Sequence, residues 1–168
     1  AAVEYKVGDI LTSKLGVKTV YVPPGTFTML LPPAESSPDK LKREVTLARG
    51  FHMMQSEVTQ GLYQRVMGNN PSSFKACVQT CPVEQVSWLD MIVFANALSQ
   101  KEGLETCYRI NDEEVWPKSA ACTGWRLPTE AEWGYAARGG QNYRYAGSDD
   151  IDSVGWYSKN SNATTHPV

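Results

Sequence analysis

The residues of this chain best suited to chemistry are its four cysteines, which fall in two local pairs. Cys77 and Cys81 sit in "KACVQTCPV", and Cys107 and Cys122 bracket "YRINDEEVWPKSAA". Such pairs can be oxidised to staple a loop, can bind a soft metal as thiolates, or can stay free. An even count at short spacings in a loop-rich region favours two disulfides, formed in an oxidising compartment. Zinc wants four ligands, and neither His52 nor His166 lies at ligand spacing from the cysteines or from the other. Free thiols are the remaining reading. A Cys107–Cys122 bridge closes a loop of about 15 residues, worth about 3 kcal/mol if it acts through chain entropy.

A second concentration of reactive types is "CTGWRLPTEAEWGYAARGG", Cys122–Gly140, with two Trp, two Arg and two Glu. Its carboxylates have structural work. Thr129 and Glu132 form an S/T-x-x-E capping box, Pro128 precedes it, and Gly139 stops the helix. Glu130 in the first turn and Arg138 in the last suit the helix dipole. Trp125, Trp133 and Tyr135 are large apolar bodies with one polar tip each, as common in cores as at ligand surfaces. No Ser–His–Asp set, buried acid pair or phosphate-cradling glycine loop can be assembled here, so no residue is assigned a catalytic role. Further on, Asp149, Asp150 and Asp152 offer hard oxygen ligands and are the calcium candidates. Their spacing matches no calcium loop, and a solvated acidic turn is the rival reading.

The elements that position these residues are signalled in order. "VKTVYVPPGTFTMLL" (17–31) alternates β-branched and aromatic residues around Pro-Pro-Gly and predicts a hairpin. "LPPAESSPDKLKRE" (31–44) is a surface loop, and "EVTLARGFHMMQSEVT" (44–59) holds one or two strands. Three helices follow. Thr59 starts one that Gly68 ends, and Ser87 with Asp90 starts one that Gly103 ends. In the second, Met91, Ile92, Phe94, Ala95 and Leu98 recur at helical spacing and should face the core. The third is the capped helix after Pro128. A coil rich in Gly, Asn, Asp and Ser closes the chain. The class is α+β with a large share of loop.

At 168 residues the chain fits one domain, 1–168. It is 42% apolar and 20% charged, with 16 basic and 18 acidic residues giving a net charge of -2. No basic block marks a nucleic-acid partner, and no run of about 18 apolar residues marks a transmembrane segment. The opening "AAVEYKVGDI" has no Met, charged start or apolar stretch, and is expected to be a mature or trimmed terminus from which any export signal has gone; its small first residues suit signal-peptidase cleavage and an arbitrary cut equally well. Asn162 in "NAT" is a glycosylation sequon of low specificity.

Several stretches taken together resemble one family. "GWRLPTEAEWGYAARGG" is similar to the hallmark segment of the formylglycine-generating-enzyme (sulfatase-modifying-factor) family. "VYVPPGTFTM" looks like its opening hairpin, "SEVTQGLYQRVMGNNPSSF" like its first helix, and "CPVEQVSWLDMIVFANALSQKEGL" like its second. Leu30 stands where the family has a glycine after methionine. The order agrees across nearly the whole chain. The resemblance implies a loop-rich variant of the C-type-lectin fold, with Trp125, Arg126, Pro128, Thr129, Glu130, Glu132, Trp133 and Arg138 as structural motif residues.

The founding member of that family oxidises a sulfatase cysteine to formylglycine with copper and oxygen. The resemblance places its copper-binding cysteine pair beyond "THPV", so copper is expected only if a downstream segment supplies that pair. A calcium site is implied near "SVGWYSKNSN", but Gly155 and Ser161 stand where the family has asparagine and aspartate. The chain is therefore expected to be the N-terminal portion of the domain, with its C-terminal side covered by a protein partner or second chain.

Three functions follow as expectations. The first is a non-catalytic extracytoplasmic binding or scaffold module, of the kind found among exported bacterial members. The second is the N-terminal part of a copper-dependent formylglycine-generating oxidase. The third is a calcium-dependent carbohydrate-binding module. A fold alone does not choose among them, because function lives in the site.

Overall fold

The computed structural model describes residues 4–30, 42–111, 114–119, 121–141 and 143–168. In chain order the strands are β1 (Ile10–Thr12), β2 (Lys18–Val22), β3 (Gly25–Leu30), β4 (Lys42–Leu47), β5 (Phe51–Met54), β6 (Tyr108–Asn111) and β7 (Glu114–Pro117). The helices are α1 (Gln60–Met67), α2 (Trp88–Glu102) and α3 (Glu130–Arg138), followed by one 3-10 turn at Ile151–Ser153. They divide into two compact units, Ala1–Gln55 with Pro128–Gly155 and Ser56–Leu127 with Trp156–Val168.

Among the described residues the first unit holds two antiparallel sheets. One has the order β1-β2-β5, with Val20 facing Ile10 on one side and Met53 on the other. The second pairs β3 with β4, where the hydroxyls of Thr26 and Thr46 meet at 2.9 Å. Helix α3 packs on this pair. The Tyr135 ring lies 5.3 Å from that of Phe27, and its hydroxyl occupies the space that a Cβ on Gly25 would take.

The hairpin expected over 17–31 does not form, because β2 and β3 belong to different sheets. The reason lies in the two residues between them, Pro23 and Pro24. A two-residue hairpin loop needs a positive φ in at least its first central residue. Proline fixes φ near -65° at both positions, so the strands diverge. The loop expected over 31–44 lies outside the described residues up to position 41, and its last residues begin β4. Where one or two strands were expected over 44–59 there are two, β4, which begins earlier at Lys42, and β5.

The second unit contains α1, α2 and the β6–β7 hairpin. Thr59 accepts from the Leu62 N–H, and Gly68 closes α1 in the left-handed region at φ 84. Ser87 and Asp90 complete a reciprocal capping box, and Gly103 ends α2. The two helices meet through Tyr63 and Phe94, stacked with centroids 5.3 Å apart. Around that stack Leu62, Val66, Ile92, Ala95 and Leu98 are buried. Met91 was expected in this core and is 37% exposed instead. The buried face runs through Ile92, Ala95, Leu98, Ser99 and Glu102, at spacings of three and four residues. Met91 falls off it, three residues on from the more exposed Trp88.

Candidate functional site

Cys77 is bonded to Cys81 and Cys107 to Cys122, with Cα atoms 5.3 and 5.6 Å apart. No cysteine is left free, and Cys81 and Cys107 are buried. A metal-binding cysteine must be a thiolate, so these four sulfurs do not fit zinc or the copper of the family's founding member.

The Cys77–Cys81 loop is organised by Gln60 at the start of α1, which is fully buried and fully used. Its amide Nε2 donates to the Phe74 carbonyl at 2.7 Å and its Oε1 accepts from Asn70 at 3.0 Å. Its backbone N–H donates to the Cys81 carbonyl at 2.9 Å. Glu84 adds a clamp, its carboxylate accepting the Phe74 N–H at 2.8 Å. A buried amide with these partners rigidifies a loop that has little apolar surface of its own.

The first half of the hallmark segment, up to Leu127, is fastened to α2. The Trp125 N–H donates to Ser99 Oγ at 2.8 Å, and its indole Nε1 donates to Glu102 at 2.9 Å. Thr123 donates through backbone and hydroxyl to Glu105, at 2.8 and 3.1 Å. These bonds hold the Glu105 carboxyl below the usual carboxylate range, the Thr123 backbone bond most of all. Gly124 passes so close that a Cβ there would meet the Glu105 carbonyl and Ser99 Oγ. Asn96 grips both backbone groups of Tyr108, at 3.0 and 3.1 Å, and the Tyr108 hydroxyl accepts the Leu127 N–H at 2.9 Å. Arg126 donates to the Leu127 carbonyl at 3.1 Å.

The second half, from Pro128, forms α3 as its end signals require. Thr129 Oγ1 accepts the Glu132 N–H, and the Glu132 carboxylate returns to the Thr129 N–H at 2.8 Å. Glu130 lies in the first turn and Arg138 in the last. Trp133 is 58% exposed. Trp125, Arg126, Thr129 and Glu132 of the motif thus bond to backbone, to Glu102 or to the helix cap.

The three aspartates do not converge. Asp149 accepts the Arg144 N–H at 2.8 Å, and Asp150 accepts the Asp152 N–H at 3.1 Å to cap the 3-10 turn. Among the described residues no three His, Cys, Asp or Glu side chains gather to hold a metal ion. In this structure Asp149 and Asp150, two of the calcium candidates, bond to nearby backbone.

Sequence reasoning missed Gln60, Asn96, Ser99, Glu102 and Tyr108, whose partners lie 10 to 26 residues away. A polar residue on the apolar face of a helix is the signal that finds Ser99 and Glu102. Trp156, 63% exposed, was also passed over; it stacks on His166 at 3.9 Å, and the imidazole Nε2 lies 2.9 Å from the Ser161 carbonyl.

This scaffold has known relatives. The Sulfatase-modifying factor enzyme 1-like domain matches residues 11–168, and the chain belongs to that family. Chaperone protein LppX of Paenibacillus barcinonensis is 41% identical over 136 residues, which are 71% of this chain and 48% of the relative. The chain thus spans about half the length of the curated relative it matches. Treponema denticola variable protein 1 superposes with a TM-score of 0.77 at 29% identity, over 95% of this chain and 67% of that one. CarF follows at 0.63 and 26% identity, over 88% and 69%. The fold is accordingly α+β, the loop-rich, C-type-lectin-like fold of the formylglycine-generating-enzyme type.

Proposed function

We propose that this chain is a single-domain, non-catalytic binding or scaffold module that works outside the cytoplasm. The observation that carries the reading is that all four cysteines are spent in disulfides, while the motif residues bond to backbone and caps. Oxidation of a sulfatase cysteine on this fold calls for a thiolate pair, and these residues offer none. The disulfides support an oxidising compartment. No helix among the described residues is long and apolar enough to cross a membrane. The name of the Paenibacillus relative, a chaperone protein, supports a protein partner over a small-molecule substrate. Nucleic acid is the partner class least supported, given a net charge of -2.

The test is direct. The purified chain is incubated with Cu(I), oxygen and a peptide carrying a sulfatase-type cysteine, and the peptide is read by mass spectrometry. An unchanged cysteine is expected; conversion to the aldehyde would sink the reading. The family match over 11–168 favours one rival, the N-terminal part of a copper-dependent oxidase, which predicts conversion once a downstream cysteine pair is restored. The calcium-dependent carbohydrate binder predicts heat on titration with calcium, and none is expected.

A further inference from the structure

His52 lies on β5 opposite Tyr21 of β2. Its ring meets Tyr5 edge to face, with centroids 4.7 Å and planes 83° apart. The Tyr21 ring is 5.2 Å from the imidazole and 5.3 Å from Tyr5, so the three rings close on one another. Both imidazole nitrogens are buried, and among the described residues neither has a hydrogen-bond partner.

That arrangement sets the two protonation states far apart. The neutral ring leaves one donor and one acceptor unmet. The imidazolium would leave two donors and a charge unmet, which costs more. Burial accordingly holds His52 below its ordinary value of 6.5, and the Asp9 carboxylate opposes this more weakly. The ionisable groups around it are the Tyr5 phenol on the leading segment, the Tyr21 phenol on β2, and Asp9 in the turn before β1. Asp9 is already engaged, accepting the Lys6 N–H at 2.7 Å.

We propose that the Tyr5–His52–Tyr21 cluster is an acid-sensitive latch, which clasps the Glu4–Lys6 segment to the sheet at neutral pH and releases it when His52 takes a proton. The hinge is defined by the bonds that remain. Asp9 donates to the Lys6 carbonyl at 3.0 Å, Gly8 donates to the Tyr21 carbonyl at 3.2 Å, and Tyr21 donates to the Asp9 carbonyl at 2.8 Å. These stay closed when the rings part, so Glu4 and Tyr5 swing while β1 keeps its register. The sign follows from linkage. The open state binds the proton more tightly than the closed one, so closure is complete above 6.5 and weakens as the pH falls from there towards the depressed folded value.

Amide hydrogen exchange across Glu4–Asp9, corrected for the intrinsic pH dependence, tests this between about pH 8 and about pH 5. A several-fold loss of protection is expected on the acid side at the Lys6 amide, which shares its peptide group with Tyr5 and is bonded to the Asp9 carboxylate in the closed segment, with the amides of β2 and β5 keeping theirs. His52→Phe retains a ring and removes the proton, so its segment should stay protected throughout. Tyr5→Leu should leave the segment open at both ends of the range. His166→Gln, at the other histidine, should reproduce the unaltered response. Equal protection at both pH values in the unaltered chain would overturn the latch, and so would an acid loss that survives His52→Phe.

Discussion

The indole of Trp125 is hydrogen-bonded to the Glu102 carboxylate at 2.9 Å, joining the family's most recognisable segment to the buried face of α2. Glu102 is 5% exposed, so the bond is made where a carboxylate without donors is costly. Trp125→Phe removes the N–H and keeps most of the ring. It is expected to lower stability by about 1–3 kcal/mol, read from urea unfolding, with no change in the m-value. An unchanged midpoint would mean that the indole bond is made equally well by water.

Gly124→Ala addresses the same junction by sterics. A Cβ there meets the Glu105 carbonyl and Ser99 Oγ, and the carbonyl belongs to backbone that cannot turn aside. The expected loss is about 1–3 kcal/mol, as for an overpacked core. Thermal unfolding of Gly124→Ala beside Gly134→Ala, where the nearest atom is Phe27 Cε2 at 3.9 Å, separates crowding from the mere addition of a methyl group.

The two disulfides should contribute unequally. Cys107–Cys122 spans a separation of 15 and Cys77–Cys81 one of 4. Chain entropy then gives about 3 kcal/mol for the first and about 2 kcal/mol for the second. Paired Cys→Ala variants, unfolded in urea, measure both. A larger loss at Cys77–Cys81 would mean that the Gln60 network depends on the bridge.

Acid should weaken the fold in a second range, below that of His52. Hydrogen bonds hold Glu105 and Asp90 below their ordinary values of 4.5 and 3.8, through Thr123 and Ser87. The unfolded chain binds these protons first, so the stabilisation is complete above those values and is lost as the pH falls through the lower folded ones. Melting temperatures measured on either side of this range should drop on the acid side. The drop should shrink in Glu105→Gln and Asp90→Asn; an identical drop in both variants would assign it to other carboxylates.

Thr129→Ala removes the side-chain half of the α3 capping box. It should cost about 1 kcal/mol and leave β3–β4 pairing intact, which hydrogen exchange at Phe27 and Val45 reports.

What could be read from the sequence was mostly local. Thr59, Ser87 with Asp90, and Thr129 with Glu132 announce helix starts because a cap bonds within three residues of itself. Gly68, Gly103 and Gly139 announce helix ends for the same reason. The strand partners were not legible. Nothing in "VPPG" alone says where β2 goes, although its prolines rule out the tight turn that alternation suggests. The role of Glu102 was equally hidden, since Trp125 lies 23 residues on and either residue alone reads as ordinary surface or core. The local bonding of the acidic turn was equally hidden: Asp149 accepts the Arg144 N–H and Asp150 the Asp152 N–H, which three aspartates close in sequence do not announce.

The β6–β7 hairpin leaves the body of its unit and returns at nearly one point. Cys107 and Cys122 are joined there, the Cys107 carbonyl accepts the Lys118 N–H at 2.9 Å, and Asn96 pins Tyr108. The described strand residues farther out, 109–111 and 114–116, thus lie beyond a doubly fastened base. Replacements along those strand residues leave untouched the covalent and hydrogen-bonded base that ties the hairpin to α2.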